Sequence, residues 1–234
     1  AASFEPDDNP LGDNVAAASA SSATLSTGLL PGEWSRRRNT YEAAVRYQGS
    51  FGPTGIYAFG GYIGSGRVNP GVGAVGADGT AVGVTRYDNM GAWNGGVAVT
   101  VAGFRVGGSI FTGAVNNQLA LKPDGGKNMI AYLVGTQYSI GPLIVGASYM
   151  NILSAGAVSA TGGLLASQRR EGGINVGGTY VIAPGLLGWL SASYGQRYQG
   201  GYNFNSTALD TATSAGAGNN VHFEAVAIGG AVKW

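Results

Sequence analysis

The chain is 234 residues long, 44% hydrophobic and only 11% charged, with a formal net charge of +1. A soluble domain carries about 25% charged residues, so something other than a salt-rich surface meets the surroundings, and the balanced charge gives no basis for nucleic-acid binding. Every apolar stretch is broken within a few positions, far short of the run of about 18 residues a transmembrane helix needs, which leaves the β-barrel as the other structure able to span a bilayer. The 43 glycines follow no triplet period and prolines number only 8, which argues against helices and collagen and leaves strands and turns. With no cysteine there are no disulfides and no thiolate metal sites.

Residues 1–38 begin acidic and Pro-containing, without a basic region followed by an apolar core, so a secretion signal has been removed or the chain starts partway through a longer protein. Within them Asn14 to Thr27 alternates only among small residues; it reads as a loop, with a hidden tenth strand as the alternative. The first two-faced strand is Asn39 to Phe51, with Tyr41, Val45, Tyr47 and Phe51 on one face and Glu42, Arg46 and Gln48 on the other. Gly52 to Gly55 turns it into Ile56 to Gly64. Three more hairpins follow: Tyr87–Val101 with Phe104–Thr112, Asn128–Ile140 with Leu143–Ile152, and Arg169–Ile182 with Leu186–Gln199. A last strand, Val221 to Trp234, makes nine. Within each hairpin the turn is short, whereas the hairpins are joined by long segments of Gly, Ala, Asn, Ser and Thr, at about 65–86, 113–127, 153–168 and 200–220.

Alternation cannot say whether an apolar face meets a protein core or lipid, so a soluble β-sandwich shares this much of the pattern. Strand length and turn asymmetry favour the membrane. Sandwich strands run to about five or six residues, whereas several of these reach more than twice that, and short turns at one end with long loops at the other mark outer-membrane barrels, the short set being periplasmic. Aromatic residues, among them Tyr41, Trp93, Phe104, Tyr132, Tyr138, Tyr149, Tyr180 and Tyr194, fall mostly on the apolar parity, many near strand ends where amphipathic rings meet headgroups.

In the last strand Val226, Ile228, Val232 and the terminal aromatic Trp234 share one face. This resembles the closing-strand signal of bacterial outer-membrane proteins. The phrases Gly49-Ser-Phe-Gly-Pro-Thr-Gly-Ile-Tyr-Ala-Phe-Gly-Gly-Tyr, Trp93-Asn-Gly-Gly-Val and Ala102-Gly-Phe-Arg-Val-Gly-Gly-Ser resemble the general Gram-negative porins, particularly their alphaproteobacterial branch, from about Asn39 to Trp234. That resemblance implies an all-β fold: a transmembrane antiparallel β-barrel of about 16 strands, a homotrimer around a water-filled pore narrowed by an inward-folded loop. Nine strands are too few to close such a barrel, and an odd number departs from the even count of bacterial barrels. The chain is therefore expected to be the C-terminal portion of a pore, its earlier strands coming from the same or another chain, with its last strand descending to the periplasm in contact with outer-membrane lipid. Residues 1–38 are expected to lie outside as an extracellular segment, or to enter and narrow the pore.

Pore function rests on the charges that line the lumen. Opposite the aromatic parity stand Glu42, Arg46, Gln48, Asp88, Asn94 and Arg105, followed by Gln137, Arg169, Glu171, Asn175, Ser193 and Arg197. Arginine exceeds carboxylate among them, which mildly favours anions; individual members are equally readable as solvated rim charges. The run Arg36, Arg37 and Arg38 precedes the first strand and is read either as an outer-mouth cluster meeting lipopolysaccharide phosphates or as a solvated loop. Asp7, Asp8, Asp13, Glu33, Asp124 and Asp210 offer loop carboxylates for Ca²⁺ without EF-hand spacing; no other metal or cofactor is expected. The single histidine, His222, has no nucleophile motif or second histidine to work with, so no enzyme is expected. The alternative function is a structural or interaction barrel whose surface binds a partner, the pore being incidental.

Overall fold

A computed structural model describes residues 2–5, 39–66, 74–75, 81–82, 87–116, 119–157, 167–204, 208–209 and 218–232. Among them the long strands are β2 (Thr40–Phe51), β3 (Thr54–Gly64), β6 (Gly91–Val101), β7 (Phe104–Ala114), β8 (Met129–Ile140), β9 (Leu143–Ser154), β10 (Arg169–Ala183), β11 (Leu186–Tyr198) and β14 (Asn220–Val232). Short strands complete the set: β1 (Ala2–Glu5), the pair β4 (Ala74–Val75) and β5 (Ala81–Val82), and the pair β12 (Tyr202–Asn203) and β13 (Ala208–Leu209). The nine expected strands are all present, with ends moved by a few residues. The largest shift is at β6, which starts at Gly91; Tyr87 stands before it in an isolated bridge to Pro123.

One antiparallel sheet of ten strands holds the molecule together in the order β1-β2-β3-β6-β7-β8-β9-β10-β11-β14. Each long strand pairs with its neighbour in sequence, the arrangement of an up-and-down barrel wall. The tenth strand differs from the one weighed in the sequence. It is Ala2–Glu5, which pairs with Ala43 to Thr40 and so covers only the loop end of the β2 edge. Asn14 to Thr27 lies outside the described residues, as do Arg36, Arg37, Arg38 and Trp234.

At one end the strands are joined by two-residue turns. Ala102 and Gly103 both take positive φ, 48° and 80°, the signs of a type I′ turn, whose twist suits a hairpin. Gly52 and Gly141 take positive φ before a proline, the pattern of type II′ turns. The Pro184–Gly185 turn has the opposite order, and a register shift between Val181 and Ala183 accompanies it. A bulge there adds local twist.

The register assigns every side chain of the long strands to one of two faces. Across the sheet Gln48 faces Tyr57, Tyr57 faces Ala98, Arg105 faces Gln137, Ser148 faces Asn175, Asn175 faces Ser193, and Ser193 faces Ala225. The face these residues share is concave: a hollow is bounded by Tyr57 and Phe59 of β3, Ala98 of β6, Arg105 of β7, Gln137 of β8, Ser148 of β9 and Asn175 of β10. The opposite, convex face carries Tyr41, Val45, Trp93, Val97, Phe104, Ile110, Tyr132, Val134, Tyr149, Ile174, Tyr194, Val226 and Ile228, all exposed. Ile228 is 82% and Val226 76% exposed. A sandwich would bury these side chains under a second sheet, and among the described residues none covers them. So large a contiguous apolar surface implies an apolar surrounding.

Candidate pore wall and outer mouth

Glu42, Arg46, Gln48, Asn94, Arg105, Gln137, Arg169, Glu171, Asn175, Ser193 and Arg197 all stand on the concave face by register. Asp88 is the exception. It precedes β6 in a loop, its N–H donating to the Lys122 carbonyl and its carboxylate paired with Lys122 Nζ at 2.5 Å. A loop segment does not hold strand parity, so the register assigns Asp88 to neither face.

Midway down the wall Asn175 Nδ2 donates to Ser193 Oγ at 2.6 Å. The wall is less polar than the sequence suggested, since Tyr57, Phe59, Leu133, Trp189 and Phe223 share the concave parity. Tyr57 and Phe59 were legible in principle: with the turn confined to Gly52 and Pro53, counting through it puts Tyr57 opposite Gln48. Closely approaching glycines keep some of these rings flat. Phe223 lies over Gly195, and Trp189 over Gly229, each occupying the space a β-carbon would need.

At the loop ends of β3 and β6 to β9 the concave face is apolar and covered. Ile63, Phe111 and Ile152 pack against a small core of Met90, Ala92, Val115 and Met129. The segments around Met90 and Val115 are thereby folded inward over the sheet. Lys122 is buried, 5% exposed, and also donates to the Gly126 carbonyl at 2.6 Å. Asn116 links this loop to the next, its Nδ2 donating to the Gly156 carbonyl and its Oδ1 accepting from Gly156 N–H, both at 2.8 Å. Gln199 then ties the following pair of loops. Fully buried, it donates through Nε2 to the carbonyls of Ala155, Ala157 and Ser167, and accepts at Oε1 from Ala157 N–H and Arg169 Nε. Sequence reasoning missed Lys122, Asn116 and Gln199, whose partners lie in other loops and leave no periodic trace.

Beside Gln199 the Arg169 guanidinium lies over two rings, Tyr202 at 5.4 Å and Phe204 at 5.2 Å. Arg197 lies over the same Phe204 ring at 5.5 Å and pairs with Glu171. Among the described residues no group of three or more metal-binding side chains occurs; Asp124 is exposed in a turn, and the other five carboxylates suggested for Ca²⁺ lie outside the described residues. His222 sits on the convex face, its ring 6.4 Å from that of Tyr194.

Solved structures share this architecture. OccK9 (OpdG) of Pseudomonas aeruginosa superposes with a TM-score of 0.50 at 12% identity, over 82% of this chain and 47% of that one. The fold is that of an outer-membrane β-barrel. The barrel wall is also similar to OmpT of Vibrio cholerae, with a TM-score of 0.44, 18% identity and coverage of 88% and 59%, and to OmpF of Salmonella typhi, with 0.44, 15%, 83% and 51%. The chain thus spans about half the length of these three solved barrels. No protein-family model matches the chain, and no curated protein matches it significantly by sequence.

Proposed function

We propose that this chain forms part of the wall of an outer-membrane porin through which small hydrophilic solutes diffuse passively. The observation that carries the reading is the division of one curved sheet into an exposed, largely apolar convex face, whose strand charges Arg170 and Glu224 lie toward its loop end, and a concave face bearing Glu42, Arg46, Arg105, Arg169, Glu171 and Arg197. Lipid suits the first and water the second. In this reading the short turns and the end of β14 face the periplasm, the knitted loops form the outer mouth, and further strands from the same or another chain complete the barrel. A homotrimer of the general Gram-negative, alphaproteobacterial type is the assembly proposed.

No reaction and no cofactor is needed for this work. Arg46, Arg105, Arg169 and Arg197 outnumber Glu42 and Glu171 on the concave wall, and low-dielectric walls concentrate their field, giving mild anion preference. Planar-bilayer recording of the full-length oligomer tests the reading. Stable open-channel currents with a chloride-to-potassium permeability ratio modestly above one are expected; no stable current at any voltage would sink it.

A further inference from the structure

The hollow in the concave wall has a floor almost without side chains. The register carries one line across it from Tyr57 of β3 through Ala98, Gly107 and Gly135 to Ser148 and Asn175, and on its turn side Gly146 and Gly177 continue the bare strip. A β-carbon on Gly107, Gly146 or Gly177 would stand 2.9, 2.9 or 2.7 Å from the carbonyl oxygens of Val97, Thr136 and Leu190, so close approach of the strands keeps the strip bare. The hollow measures about 490 Å³, within the range of small-molecule sites. From β3 to β10 it crosses five strand spacings, roughly 24 Å at about 4.8 Å each. It is a long trough laid across the strands.

Its two ends differ. At the β3 end Tyr57 and Phe59, two residues apart on one face, hold their ring centroids 6.0 Å apart with planes inclined at 46°. Phe59 is laid over Gly96, in the space a β-carbon would take. At the far end stand Ser148 and Asn175. Asn175 is oriented through Nδ2, which donates to Ser193 Oγ, and its Oδ1 is left to accept. Gln137 lies between the ends, and among the described residues neither its side chain nor that of Ser148 makes a hydrogen bond. Among the described residues that line the trough, Arg105 alone is charged.

Amides and hydroxyls both donate and accept, as each hydroxyl of a sugar does, whereas the CH face of a pyranose ring is apolar and packs on an aromatic ring. A planar base would want parallel rings, and these are inclined; an ionic solute would find one charge. We propose that the trough is a subsite for short neutral oligosaccharides, which lie across the strands with one ring against Tyr57 and Phe59 and their far hydroxyls on Gln137, Ser148 and Asn175. The subsite rests on the pore reading for its access and names a solute class within it.

Maltotriose, glucose and the open-chain hexitol sorbitol are the probes. Added at millimolar concentration to the full-length oligomer in a bilayer, maltotriose is expected to reduce the current. Glucose should act about tenfold more weakly, since it cannot span both ends, and sorbitol only through the conductivity of the solution. Tyr57→Ala should weaken the maltotriose effect about three- to tenfold, Tyr57→Phe should retain it because the ring remains, and Gln137→Ala should weaken it about threefold. Tyr180→Leu is the control, because Tyr180 is exposed on the convex face and should change nothing. Equal effects of maltotriose and sorbitol, or an equal loss in Tyr180→Leu, would overturn the subsite. Saturation-transfer NMR of maltotriose on the folded protein, in a detergent without a sugar headgroup, reads the same site without any current: transfer that survives the Tyr57→Ala, Phe59→Ala double variant, shown to be folded by heat-modifiable mobility, also overturns it. A protein that conducts but ignores maltotriose removes the subsite alone, whereas one that binds maltotriose but never conducts removes the pore.

Discussion

Ile228 and Ala227 are neighbours in sequence and face opposite ways: Ile228 stands 82% exposed on the convex side, and Ala227 pairs with Ser191 on the concave side. If the convex face meets hydrocarbon, Ile228→Lys is destabilising, by up to about 2–4 kcal/mol at the membrane midplane and less toward an interface, whereas Ala227→Lys meets water and costs little. Equilibrium unfolding in urea from lipid vesicles measures both, and equal costs would contradict the facing. A second residue-scale expectation concerns the rings laid over glycines. Gly195→Val has no room under Phe223, so the ring must leave the wall. Overpacking of this kind costs about 1–3 kcal/mol, and the displaced ring should lower single-channel conductance.

The strands are held by their ladders and by cross-strand side-chain pairs such as Asn175 with Ser193, whereas the loops are organised by a few buried polar groups. Lys122 keeps its charge out of water because Asp88 and the Gly126 carbonyl compensate it. Asp88→Asn removes the carboxylate and leaves the ammonium with neutral partners. Because Asp88 is itself about a third exposed, screening limits the loss to about 1–2 kcal/mol, read as roughly tenfold faster hydrogen exchange at the Asp88 and Gly126 amides. Gln199→Ala strands several carbonyls and the Ala157 amide at once. Each unsatisfied buried group costs about 1–3 kcal/mol, so the loops after β9 and β11 should open together, with the Ala157 amide losing its protection. Exchange confined to one of the two loops would show that Gln199 does not couple them.

Over the whole molecule the aromatic residues of the convex face gather toward both ends of the strands. Tyr41, Tyr62 and Trp93 stack in sequence near the loop end, at 6.0 and 4.7 Å between centroids, and Phe104 meets Tyr138 near the turn end at 5.2 Å. Such paired girdles fit the two interfaces of a bilayer. The sheet itself is open: among the described residues β14 is paired only with β11, and β2 beyond Ala43 only with β3. Unpaired strand edges are not tolerated in hydrocarbon. The assembled protein is therefore expected to need detergent for solubility and to run faster on gels before heating than after, the mark of a closed barrel.

Strand identity, hairpin pairing and facing were legible along the chain because each depends on local rules. Period-two alternation from Tyr41 to Phe51 or from Val226 to Val232 marks strands, Ala102-Gly103 and Gly141-Pro142 force tight turns, and consecutive hairpins leave one simple order of neighbours. What alternation could not decide was whether the apolar face was a core; only the curled sheet, with its apolar side convex and uncovered, did so. The loops escaped sequence reasoning for the complementary reason. Asp88 with Lys122, Asn116 with Gly156, and Gln199 with Ala155 and Arg169 are meetings of segments far apart in the chain. Hydrogen bonds and ion pairs of that kind have no period, and they exist only once the ladder has brought the loop ends side by side.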